Sequence, residues 1–88
     1  MLNIYATDWC PHCTKTVNFL KKHKIQYNYI NMDKDVTNEQ LRKVIEVNGG
    51  DDWVVPTLEF NGKWREGKFF NAEQLMKELT QMGVVDRF

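Results

Sequence analysis

Two cysteines three positions apart, Cys10 and Cys13, bracket Pro11 and His12. Thiols at that spacing lie nearly one helical turn apart, so they can close a short disulfide and open it again. Pro11 stands where a helix would begin, a position that tolerates its missing N–H. Cys10 then sits at or just before the first helical residue, where free N–H groups and the positive end of the helix dipole stabilise an anion. It is expected to be the nucleophilic thiolate. The amide of Cys13 is already inside the helix, so Cys13 is expected to be more buried and to hold its proton more tightly. Cys10 would attack a substrate disulfide to form a mixed disulfide, and Cys13 would attack Cys10 to release the reduced substrate. Something else must then reduce the Cys10–Cys13 disulfide.

His12 has two readings. Protonated, it would favour the Cys10 thiolate, stabilise the reduced form and make the protein more oxidising. Otherwise it is a solvent-exposed turn residue. His23 is read as a solvated residue at a basic helix end. Structural zinc wants four Cys/His ligands, usually as two separated pairs. This chain has one cysteine pair and two histidines. His23 follows Cys13 by ten residues, roughly 15 Å along a helix, so no metal site within one chain is expected. An iron–sulfur cluster shared between two chains through Cys10 is compatible with the ligand count.

The elements that position these residues follow from hydrophobic period. Leu2, Ile4 and Ala6 alternate with Asn3 and Tyr5 as a first strand. Cys13, Val17 and Leu20 follow Pro11 at helical spacing, and Lys21, Lys22, His23 and Lys24 place positive charge at the helix C-terminus. Tyr27 to Met32 suits a second strand. Thr37 and Gln40 form a capping box before a helix faced by Leu41, Val44 and Ile45. Gly49 to Asp52 is a turn. Val54 to Phe60 reads as a strand entered through Pro56, and Asn61-Gly62 as a two-residue hairpin leading to a return strand over Lys63 to Glu66. Asn71 and Gln74 cap a last helix with Leu75, Met76, Leu79 and Met82 as its stripe. The order is β-α-β-α-β-β-α: an α/β fold with a four-stranded mixed sheet and three helices. Its first two strands should be parallel through a right-handed crossover.

The whole chain narrows the function further. Its 88 residues allow one domain, spanning 1–88. Twelve basic and twelve acidic side chains balance, which gives no electrostatic case for nucleic acid or an anionic membrane surface. No apolar run approaches the roughly 20 residues that span a bilayer. Met1 to Asp8 hold no basic segment followed by an apolar stretch, so no secretory leader is expected and the chain is read as cytoplasmic. In that compartment structural disulfides are kept reduced, which favours a redox role for a lone cysteine pair.

Trp9-Cys10-Pro11-His12-Cys13 after the first strand, with Val55-Pro56 opening the third, resembles the glutaredoxin branch of the thioredoxin fold over essentially the whole chain. That resemblance implies a cis Val55–Pro56 bond beside the cysteines. It also implies that the Val55 backbone pairs, strand-like, with a bound peptide or glutathione. Trp9 is read as a partner-facing aromatic, a feature that also resembles thioredoxins and mycoredoxin-like proteins. Three departures weaken the expectation of glutathione as reductant. Val54 replaces the usual Thr of Thr-Val-Pro. Gly67-Lys68-Phe69-Phe70-Asn71 replaces the Gly-Gly pair and Asp at the last helix. Thr7 stands three before Cys10 where a Lys is common. Phe69 and Phe70 are read as core at the start of that helix, or else as cover for a docking surface.

The resulting expectation is a monomeric glutaredoxin-type dithiol–disulfide oxidoreductase acting on protein or glutathione mixed disulfides, with no resident cofactor. Its catalytic residues are Cys10 and Cys13, its redox-tuning residues Pro11 and His12, and its substrate-binding residues Trp9, Val55 and Pro56. Glutathione or a thioredoxin reductase would supply electrons, the latter as in redoxins that serve a reductase. An iron–sulfur-binding dimer is the alternative from another class.

Overall fold

The computed structural model describes residues 1–85, so the last three residues of the expected domain lie outside the described residues. Seven elements follow in the order β1 (Leu2–Ala6), α1 (Pro11–Lys22), β2 (Tyr27–Asn31), α2 (Asn38–Val47), β3 (Thr57–Phe60), β4 (Lys63–Arg65) and α3 (Ala72–Met82). The sheet order is β2-β1-β3-β4. β1 runs parallel to β2, pairing Leu2 with Tyr27 and Ala6 with Asn31. It runs antiparallel to β3, which forms an antiparallel hairpin with β4. This is the β-α-β-α-β-β-α arrangement of the thioredoxin fold.

Strand alternation divides the core in two. Leu2, Ile4 and Ala6 pack with Leu20 of α1, Leu58 of β3 and Leu75 and Leu79 of α3. Tyr5 points the other way and packs with Ile30, Met32 and Val44 of α2. Thus α1 and α3 cover one face of the sheet and α2 the other. Each fully buried Leu or Ile contributes about 1.5–3 kcal/mol. Cys10 and Cys13 belong to the larger cluster, so the reactive pair is built onto the core.

Local chemistry sets the element ends. Thr37 and Gln40 close a reciprocal capping box on α2. Asn61 and Gly62 both have positive φ, at 51° and 85°, as a tight primed hairpin turn requires. Asn71 caps α3 by accepting from the Gln74 N–H at 3.0 Å. In α1, Thr16 and Phe19 are buried beside Cys13 and Leu20, while Val17 is only partly buried. Thr16 enters the apolar side because its hydroxyl donates to the His12 carbonyl at 2.7 Å, leaving no orphaned polar group.

Three strands are shorter than their residues imply, β2 by the one residue Met32. β4 ends at Arg65, and β3 begins at Thr57 rather than Val54. The Thr57 hydroxyl donates to the Val54 carbonyl at 2.6 Å, folding the chain back on itself. Pro56 lacks the N–H that would continue the ladder. Val54 to Pro56 therefore leave the sheet next to the N-terminus of α1.

A charged cluster anchors the other side. Arg65 Nε donates to Glu78 Oε1 at 2.8 Å and Lys68 Nζ to Glu78 Oε2 at 2.6 Å. Burial pushes the Glu78 carboxyl up, but Lys68 and Arg65 outweigh it and hold the group below its ordinary value of 4.5. A lowered carboxyl stabilises the fold above its unfolded value and loses that contribution as pH falls. Arg65 is buried, and its Nη1 has no hydrogen-bond partner among the described residues. Glu78→Gln should therefore cost about 3 kcal/mol in urea unfolding at neutral pH. The difference from wild type should shrink as pH falls through the carboxyl range.

Candidate functional site

Cys10 is the N-cap of α1, with extended backbone at φ −88° and ψ 119°. Its Sγ accepts the Cys13 N–H at 3.3 Å. The sulfur thus occupies the place of the Ser or Asp oxygen that usually satisfies an orphaned N–H at a helix start. Cys10 and Cys13 are free thiols. Cys10 is 7% exposed and Cys13 is 1% exposed. Burial pushes the Cys13 thiol up from 9.0 to about 12, opposed by the Thr7 backbone and hydroxyl and reinforced by Cys10. The two sulfurs are unequal, as their positions on the helix imply.

The Val55–Pro56 bond is cis. Cys10 Sγ lies 4.0 Å from the Val55 carbonyl oxygen, which brings a segment 45 residues away against Cys10. Pro56 is fully buried, while Val54 stays exposed. Asn48 holds this segment from behind. Its Nδ2 donates to Val44 O at 2.8 Å and to Thr57 Oγ1 at 2.9 Å. Its Oδ1 accepts the Gly67 N–H at 2.7 Å. Gly67 is required by space: a β-carbon there would lie 2.5 Å from Val54 Cγ1.

His12 faces the segment before α3. Its Nδ1 accepts the Phe70 N–H at 3.1 Å, and its ring stacks on Phe69 with centroids 4.8 Å apart. A nitrogen that accepts a hydrogen bond carries no proton, so this contact uses neutral Nδ1. A doubly protonated ring would have to break it. Phe69 and Phe70 part company. Phe70 packs into the core, edge-on to Phe19 at 6.1 Å, whereas Phe69 is 79% exposed. Pro11 is the first residue of α1 and is exposed. His23 caps the other end of α1 and lies against Phe19, with ring centroids 4.3 Å apart.

Trp9 is 68% exposed, and its indole N–H donates to Asp33 Oδ2 at 2.9 Å. Asp8 beside it accepts from the Tyr29 hydroxyl at 2.8 Å and from Asn31 Nδ2 at 3.1 Å. The loop from β1 to α1 is thereby tied to the end of β2. Sequence reasoning missed Asp8, Tyr29, Asn48 and Gly67. Thr7 and Gly67 carried a signal only as parts of departures from a familiar pattern. Trp9, which precedes Cys10, Val54, which precedes Val55, and Phe69, stacked on His12, are exposed apolar side chains. Among the described residues, no three His, Cys, Asp or Glu side chains converge as a metal site, and no helix is long and apolar enough to cross a membrane.

Two outcomes follow from this geometry. Gly67→Ala should displace Val54 and Val55, raising KM for a peptide disulfide while the alkylation rate of Cys10 changes little. The second concerns alkaline stability. Cys13, Tyr29 and Tyr5 are all raised, burial being the leading cause in each. Between the ordinary and folded values the unfolded chain binds fewer protons, so stability falls as pH rises. Urea midpoints should hold up to about pH 9 and fall from there toward 12. Cys13→Ala should remove the earliest part of that decline.

A family model for glutaredoxins matches residues 2–64, a span that holds both cysteines and the Val55–Pro56 segment. The uncharacterised glutaredoxin-like 8.6 kDa protein in the rubredoxin operon of Clostridium pasteurianum is 31% identical over 78 residues, covering 88% of this chain and 95% of that one. Mycoredoxin 1 of Corynebacterium glutamicum is 37% identical over 60 residues, covering 68% of this chain and 70% of that one. Among solved structures, the glutaredoxin of Archaeoglobus fulgidus matches with a TM-score of 0.67 at 29% identity, covering 86% of this chain and 82% of that one. The chain belongs to the glutaredoxin family: it is a thioredoxin-fold redox protein whose closely spaced cysteine pair suits thiol–disulfide chemistry.

Proposed function

We propose that this protein is a dithiol–disulfide oxidoreductase that reduces protein disulfides or mixed disulfides, with Cys10 as nucleophile and Cys13 as resolving thiol. The observation that carries this reading is the inequality of the two sulfurs. Cys10 caps α1 and accepts its N–H, while Cys13 lies buried one turn further in. In the first step the Cys10 thiolate attacks one sulfur of the substrate, and the other substrate sulfur leaves as a thiolate. In the second, Cys13 attacks Cys10 and the bound substrate sulfur leaves, closing the Cys10–Cys13 disulfide. Two electrons pass from the dithiol to the substrate. Val55, outside the ladder and beside Cys10, supports strand-like pairing with a bound segment.

These exposed apolar side chains favour a protein on one side of the exchange, because Trp9, Val54 and Phe69 offer surface to a partner. The site around Gly67 to Phe70 favours the same choice. Phe69 and Phe70 are fastened there by His12, where family members hold the γ-glutamyl end of glutathione. The electron donor under this reading is a thioredoxin reductase. A low-molecular-weight thiol is the second reading, and the mycoredoxin among the relatives extends it from glutathione to mycothiol.

NADPH consumption tests the donor directly. With a disulfide protein as substrate, thioredoxin reductase should sustain turnover faster than glutathione with glutathione reductase. The reverse order would give the donor role to the small thiol. Cys10→Ser should abolish turnover with either donor. Cys13→Ser should accumulate a mixed disulfide on Cys10, visible by mass; undiminished reduction of protein disulfides by that variant would refute the roles assigned to the pair.

A further inference from the structure

The second step asks a buried thiol to become a nucleophile. Cys13 is 1% exposed, and burial holds its proton in place well above neutral pH. When Cys13 reacts the substrate sulfur occupies the Cys10 face, so a second face open to water would give the proton its own route. A cleft of about 240 Å³ is lined by Cys13 and not by Cys10, and lies between α1, the residues just after β1 and Tyr29 of β2. At about 30 Å³ per molecule it has room for several waters. Thr7, Asp8 and Tyr29 line it on the sheet side, and Asn18 and Lys21 line it from α1.

Three features of this cleft suit proton transfer. The Thr7 hydroxyl lies beside the Cys13 sulfur, where it favours the anion, is 1% exposed and has no other hydrogen-bond partner among the described residues. It is free to donate to a sulfur anion. Asp8 supplies the one carboxylate among the lining residues. Its two oxygens are fixed by Tyr29 and Asn31 at 2.8 and 3.1 Å, and each keeps a further lone pair. Tyr29 itself cannot serve as acceptor, since burial and its bond to Asp8 keep its hydroxyl protonated. The groups facing Cys13 are thus Cys10 and Thr7 directly, and Asp8, Tyr29 and the Lys21 cation across the cleft.

We propose that this cleft is the proton exit for the resolving thiol, with Asp8 as acceptor through water, Thr7 as donor to the Cys13 thiolate and Tyr29 as the positioning residue of Asp8. The inference rests on the dithiol reading above. In the step itself the Cys13 S–H proton passes through cleft water to Asp8. The electron pair left on sulfur forms the bond to Cys10, and the Cys10–substrate S–S bond breaks. Its pair departs on the substrate thiolate, which takes a proton from solvent, and Asp8 returns its own proton to bulk water. Cys10 and Cys13 are oxidised by two electrons and the substrate disulfide is reduced by two.

An aromatic disulfide reagent with a coloured thiolate leaving group separates the steps. Mixed with one equivalent, reduced wild type should release colour twice: first as Cys10 attacks, then as Cys13 resolves. A second release that is absent, or that persists in Cys13→Ser, counts against the dithiol reading itself. With that release in hand, Asp8→Asn should slow it roughly a hundredfold relative to the first, the lower end of what a positioned acid–base group contributes. Its rate should also rise in proportion to hydroxide, where the wild-type profile is flatter. Asp8→Ala should regain speed on addition of acetate, and Thr7→Ser should restore what Thr7→Val loses. A second release unchanged in rate and pH profile in Asp8→Asn, or insensitivity of Asp8→Ala to acetate, overturns the inference and leaves the dithiol reading standing. Tyr29→Phe should fall between wild type and Asp8→Asn; a wild-type rate there would remove Tyr29 from the route.

Discussion

One sulfur stands in for a helix cap, and the rest of the site is arranged around that substitution. An α-helix begins with N–H groups that have no partner in the helix. In α1 the Cys13 N–H is met by Cys10 Sγ, so a sulfur does at this helix start what a capping oxygen does elsewhere. This contact only holds if the end of β1 and the start of α1 are fixed relative to one another. Core burial of Ala6, Cys10 and Cys13 gives the first restraint. The tie of Asp8 and Trp9 to Tyr29, Asn31 and Asp33 gives the second.

The same arrangement explains why two identical side chains differ in chemistry. Cys10 stands at the N-cap of α1, beyond the end of β1, with its sulfur 4.0 Å from the Val55 carbonyl oxygen. Cys13 is carried inward by the first helical turn and is only 1% exposed. Desolvation then disfavours its anion, which suits a thiol that should wait until a mixed disulfide has formed. On the far side of the sulfur pair, the ring of His12 holds the backbone of Phe70 and stacks on Phe69. The wall beside the nucleophile is therefore apolar and tied to α1 itself. Glu78 of α3 draws in charge from β4 and the segment after it, through Arg65 and Lys68.

Much of this was legible in the residues. The β1 alternation, the Thr37 capping box, the Asn61-Gly62 hairpin and the position of Pro11 depend on neighbours close in sequence, and each took the predicted form. The cysteine pair is local in the same sense. What escaped were contacts between distant positions. Nothing near Thr57 says that its hydroxyl will bond Val54 and delay the strand. Asn48 looks like an ordinary helix end until Thr57 and Gly67 are placed beside it. Phe69 and Phe70 have the same chemistry and adjacent places, and only the position of His12 and Phe19 sends one out and the other in. Arg65 reads as a strand-end surface charge, yet Glu78 draws it into a site where it is 5% exposed.

Asn48 has one further consequence. With Thr57 it closes the base of a loop whose far part, Gly49 to Asp52, is exposed. The active-site end of that loop is fixed separately, by the Thr57–Val54 hydrogen bond. Lengthening a loop between fixed ends costs little, on the order of 0.6 kcal/mol for each doubling. The chain can therefore accept inserted residues at Gly49 to Asp52 without moving Val55 from Cys10. That makes this turn the natural place for a lineage to add residues, or for an experimenter to add a label, without disturbing the sulfur pair.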